Sequence, residues 1–119
     1  MKKEGVLRQK SFEFAVRVVQ TYVKLRKDFK EYSLSLQLVR SGTAIGALVR
    51  EAEHAESSRD FCHKLNIALK EANECDYWIE LFHATGFLNK QEFESLQKDI
   101  NELLRILTAI IKTLKQKFA

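Results

Sequence analysis

The chain has 119 residues, a net charge of +4, no proline and only four glycines, and it is rich in dispersed apolar residues. That length suits one domain able to bury a core without disulfide or metal staples. The composition excludes a turn-rich all-β fold, and the longest apolar runs are too short for a membrane span.

Hydrophobic spacing predicts four helices and a single domain over 1–119: an all-α, antiparallel up-down-up-down four-helix bundle. The first helix is expected over 8–28, with Phe12, Ala15, Val19, Tyr22 and Val23 on its core face. The second is expected over 34–54, with Ser33 as N-cap and Leu34, Leu38, Ile45, Leu48, Val49 and Ala52 on its apolar side. Two glycines inside one helix need a reason, since each costs about 1 kcal/mol. Gly42 and Gly46, four apart, share a face that a neighbouring backbone can approach closely. The sharper alternative is that a subunit partner or ligand uses this thin face.

The third helix is expected over 58–85. It opens on a Ser57–Asp60 capping pair, runs a stripe from Phe61 through Leu65, Ala68, Ala72, Cys75 and Ile79 to Phe82, and stops at Gly86. The fourth is expected over 89–118. An Asn89–Glu92 capping pair opens it, and Phe93, Leu96, Ile100, Leu103, Leu107, Ile110 and Leu114 form a heptad seam. Helices three and four carry more apolar surface than one core needs. Ile67, Trp78, Leu81, Leu104, Ile111 and Phe118 are therefore candidate oligomer-interface residues, with Gly42 and Gly46.

Charge is uneven along the chain. Residues 1–30 hold nine Lys/Arg against three acids, and residues 110–119 hold three lysines and no acid. The predicted topology brings both chain ends to one end of the bundle. Lys3, Arg8, Lys10, Arg17, Lys24, Lys27, Lys112 and Lys115 are thus candidate phosphate contacts of a nucleic-acid-binding surface.

No catalytic constellation is found, so no enzymatic activity and no cofactor are expected. Glu51–His54 and Glu80–His83 have the Glu-x-x-His spacing of di-iron bundles, with Asp60–His63 as a near relative. Both Glu-x-x-His pairs fall at the C-terminal ends of consecutive antiparallel helices, hence at opposite ends of the bundle, and no metal site is assigned. A single site from Glu51, His54 and His63 is the lesser alternative. Cys62 and Cys75 lie about 20 Å apart on one helix, too far for a disulfide, and are expected to be reduced and buried. The N-terminus lacks the apolar segment of a secretory signal, so a cytoplasmic location is expected.

Several stretches resemble a bacterial family of four-helix bundles. They are Leu36-Gln37-Leu38-Val39-Arg40-Ser41-Gly42-Thr43-Ala44-Ile45-Gly46-Ala47 with Arg50-Glu51-Ala52-Glu53, then Asp60-Phe61, the run from Lys64 to Ala72, Tyr77-Trp78-Ile79-Glu80-Leu81 and Thr85-Gly86-Phe87-Leu88. The family includes proteins encoded in intervening sequences of 23S rRNA genes and the accessory variability determinant of diversity-generating retroelements. The resemblance implies a homo-oligomer, a ring of five, without enzymatic activity. For the retroelement relatives it implies a basic surface for nucleic acid and a reverse transcriptase partner. Leu48 stands where family members often carry Asn, so a role for that amide does not transfer. The residues support an oligomeric nucleic-acid-binding scaffold. The alternative is a structural or protein–protein interaction module that does not bind nucleic acid.

Overall fold

A computed structural model describes residues 2–118; Met1 and Ala119, the ends of the expected 1–119 domain, lie outside them. Four helices follow one another: α1 (Lys2–Phe29), α2 (Ser33–Ala52), α3 (Ser58–Ala84) and α4 (Lys90–Phe118). Connections this short make consecutive helices antiparallel. α1 packs on α2 and α4, and α3 packs on the same two; among the described residues no diagonal pair approaches. The bundle measures 47 × 22 × 21 Å. No described helix is long and apolar enough to cross a membrane.

α3 and α4 bury nearly the seams their spacing predicts. Cys62 is buried in the first turn of α3 and Phe61 only half-buried. On α4, Leu96, Ile100, Leu103, Leu107 and Ile110 are buried, while Phe93 and Leu114 pack at the margins.

α1 departs from expectation twice. It begins at Lys2 rather than residue 8, because Leu7 enters the core and extends the helix toward the N-terminus. Its core face is also a different one. Leu7, Ser11, Phe14, Val18 and Leu25 are buried, whereas Phe12 and Val23 are 56% exposed and Val19 42%. α1 carries two apolar stripes, and the inward one is disguised by Ser11. That serine is small enough for α2 to come close: a Cβ on Gly46 would lie 3.3 Å from the Ser11 carbonyl oxygen. The buried Ser11 hydroxyl donates to the Arg8 carbonyl, so its burial leaves no unmet donor.

The helix ends explain the connections. Ser33 is the first residue of α2 rather than its cap; the Glu31 carboxylate accepts from the backbone N–H of Leu34 (3.0 Å) and Ser35 (2.7 Å) instead. Burial pushes the Glu31 carboxyl up, but these backbone donors outweigh it and hold the group below its usual range. The Ser57 hydroxyl accepts from the Asp60 N–H, and the Asp60 carboxylate reaches back to the Glu56 N–H. Asn89 and Glu92 cap reciprocally. Gly86 closes α3 at φ +88°, with the Phe87 N–H bonding back to the Phe82 carbonyl.

Candidate functional site

The basic residues of α1 do not form the expected patch. Lys10 pairs with Glu102 at 2.5 Å, Arg17 with Asp99, and Lys24 with Glu92 at 2.5 Å. Arg17 also reaches the Ser95 hydroxyl at 2.7 Å. Lys10, Arg17 and Lys24 recur every seven residues and so line one side of α1, facing acids on the antiparallel α4. The pairing holds the Lys24 ammonium above its ordinary range. Lys24, with a further bond from the Asn89 N–H, holds Glu92 below its own. Arg8 pairs with Glu53 at 3.0 Å. Four of the eight candidate phosphate contacts are therefore charge-neutralised within the chain. Lys3, Lys27, Lys112 and Lys115 are exposed, but Lys3 and Lys27 stand on α1, which does not touch α3, and so lie apart from any surface shared by α3 and α4.

Other cations stand free that charge counting by segment overlooks. On α4, Lys98, Arg105 and Lys112 recur every seven residues, with Asn101, Thr108 and Lys115 filling the same stripe. On α3, Arg59, His63, Asn66, Lys70, Asn73 and Tyr77 recur at steps of four and three. Neither stripe contains an acid, although the neighbouring Glu102, held below its usual range mainly by Lys10, also feels Arg105 and Lys98. Arg59, Lys70, Lys98, Arg105, Lys112 and Lys115 are exposed, and none has a carboxylate within salt-bridge distance among the described residues. Near the chain's C-terminal end the stripes border a groove. One part is lined by Arg59, Cys62, His63, Asn66, Lys115 and Phe118. The adjoining part shares Asn66 and Lys115 and adds Leu69, Thr108, Ile111 and Lys112.

The opposite side of the bundle is apolar. Phe12, Val16, Val19 and Val23, spaced four, three and four apart, are all more than 40% exposed on α1. On α2, Leu36 is half exposed, and Thr43 and Ala47 help line a shallow depression against Phe12 and Ala15. The Arg50 guanidinium lies over the Phe12 ring, 5.7 Å from its centre.

Sequence spacing places Phe12, Val19 and Val23 in the core, whereas the structure exposes them. Of the residues expected at an interface, Gly42 is buried against Val18 of the chain's own α1, leaving no room there for a partner. Gly46 faces the Ser11 backbone, and Ile111 is buried in the core. Trp78, Leu104 and Phe118 are half-buried and pack on the core; Ile67 and Leu81 are also half-buried.

The histidines do not converge. His54 lies just beyond α2 and His63 on the first turns of α3, both exposed, while His83 stacks on Phe93 with ring centres 4.1 Å apart. Among the described residues no three His, Cys, Asp or Glu side chains gather as a metal site would require. Cys62 and Cys75 are free and buried; burial pushes the Cys75 thiol up to about 12.

The fold and its surfaces define an all-α four-helix bundle with its cationic and apolar faces on opposite sides. The chain belongs to the 23S rRNA-intervening sequence protein family, whose model matches residues 3–109. It is similar to a crystal structure from Bacteroides thetaiotaomicron described as a protein of unknown function from the S23 ribosomal protein family. The two share 50% identity over 92% of this chain and 98% of that one, with a TM-score of 0.91. No curated protein matches the chain.

Proposed function

We propose that the chain is a non-enzymatic scaffold that self-assembles through the outer face of α1 and α2 and binds nucleic acid through α3 and α4. The observation that carries this reading is the segregation of an exposed apolar stripe from two acid-free cationic stripes on the opposite side. A contiguous apolar stripe of this kind is typical of an interface, and unpaired cations without interspersed acids suit a phosphate backbone. Membership in a family named for an rRNA intervening sequence agrees with a partner of that class.

Light scattering tests the assembly half: the wild type is expected to be a defined oligomer at micromolar concentration, and Val19→Glu a folded smaller species. Titration with RNA and with duplex DNA tests the other half. Binding is expected at low salt and should fall steeply as salt rises. A monomer overturns the first half, and absent or salt-indifferent binding overturns the second. The second reading, a protein–protein module without nucleic-acid affinity, is favoured by the neutralisation of Arg8, Lys10, Arg17 and Lys24, and the same titration decides it.

A further inference from the structure

The groove between α3 and α4 differs in kind from a flat basic patch. Its floor is apolar, made by Leu69, Ile111 and Phe118, and cations stand on both banks. The Arg59 guanidinium lies over the Phe118 ring, 4.5 Å from its centre. Amides punctuate the charges: Asn66 and Asn73 on α3, Asn101 on α4. The α3 stripe ends on Tyr77, which is 56% exposed and in edge contact with Trp78. From Arg59 to Tyr77 it runs about 27 Å at the helical rise.

We infer that a single strand of nucleic acid lies lengthwise in this groove, its phosphates on the flanking cations and its bases toward the floor. This rests on the nucleic-acid reading and assigns it a site and a strandedness. Width decides between strand and duplex. Neighbouring helices in a bundle sit about 8–10 Å apart, whereas the major groove of a duplex alone spans about 12 Å. A duplex can touch only the rims, so the floor stays unused. An unpaired strand brings base faces to the apolar floor and phosphates to the cations, and a basic groove that tracks the backbone is what single-strand sites share. A small free anion is a poor match, because the cations are spread along an open channel instead of converging on a point.

Binding to a single strand through the three cations that line the groove, Arg59, Lys112 and Lys115, gives a slope of log affinity against log salt of about −2, or roughly 20-fold weaker binding between 50 and 200 mM salt. The test is fluorescence anisotropy with a short labelled single-stranded RNA and with the same sequence as a blunt duplex, each as a salt series. The proteins are wild type, the triple variant Arg59→Gln, Lys112→Gln, Lys115→Gln, and the single variants Lys112→Glu and Lys27→Glu. All substituted positions are exposed, and circular dichroism checks that each variant is folded. The wild type is expected to prefer the strand by at least about tenfold. The triple variant should flatten the slope by about 2, and Lys112→Glu should weaken strand binding about tenfold or more while Lys27→Glu, on α1, changes it little. A duplex bound as tightly as the strand, or equal losses from Lys112→Glu and Lys27→Glu, overturns the groove assignment and leaves nucleic-acid binding standing. No binding of either form at low salt removes both.

Discussion

Gly42 is where the packing makes its sharpest quantitative demand. A methyl group there would sit 2.7 and 2.9 Å from the two γ-methyls of Val18, which is itself 1% exposed. On helix propensity alone Gly42→Ala should stabilise by about 1 kcal/mol. Overpacking opposes this with about 1–3 kcal/mol. Val18 is β-branched and held to one rotamer within α1, so it cannot swing aside and the two helices must separate instead. The net expectation is a loss of about 1–2 kcal/mol. Val18→Ala alone removes two buried methyls, about 2 kcal/mol once the cavity is included. In the double variant the methyl introduced at position 42 occupies the vacated space and the propensity gain returns. The pair should therefore cost about 2 kcal/mol less than the sum of its parts. Urea denaturation of the four proteins at one fixed protein concentration measures this cycle. Additivity within about 0.5 kcal/mol, or a Gly42→Ala protein more stable than wild type, would refute the claim that α1 and α2 touch through this glycine.

The helix ends and the buried Cys75 thiol set four further outcomes. Glu31→Gln should cost about 1 kcal/mol as a lost cap. It should also flatten the acid limb of the stability–pH curve. The wild-type carboxyl is held below its unfolded value, so its contribution is present above that value and is lost as pH falls through the folded one. Lys30→Gly should raise the melting temperature by relieving a left-handed residue at φ 54°, worth up to about 1 kcal/mol, whereas Gly86→Ala should lower it by a similar amount at φ +88°. Alkylation of Cys75 near pH 8 should follow global unfolding, because its thiol is buried and pushed up to about 12; labelling of the native protein at the rate of a free thiol would contradict the burial.

The seams of α3 and α4 were legible because Leu, Ile, Ala and Cys recur there at unbroken heptad steps. α1 was not, because its inward stripe contains Ser11, and a count of apolar residues favours the outward stripe of Phe12, Val19 and Val23. Small polar residues inside a core are chosen for volume, which hydropathy does not register. The cap at Asn89 was readable as a local pattern. Glu31 was not, because it lies two residues outside the position where caps are expected. Lys10, Arg17 and Lys24 were misjudged because their partners lie 68 to 92 positions away along the chain, although their seven-residue spacing was a usable signal. Lys112 and Lys115 enter the proposed surface from composition, whereas Arg59 enters it only from the helix face.

The ion pairs joining α1 to α4 contribute little to stability, because their groups stand largely in solvent, which screens them. Their consequence is informational. The α4 seam of Leu96, Ile100, Leu103, Leu107 and Ile110 offers nearly the same apolar surface after a slide of one heptad. The acids beside it do not, because Glu92, Asp99 and Glu102 are unevenly spaced. Displacing α1 by one heptad separates Lys10 from Glu102 and breaks the match, so these charges act as a vernier that marks one alignment among several similar ones. The bundle is thus held by its core and indexed by its rim.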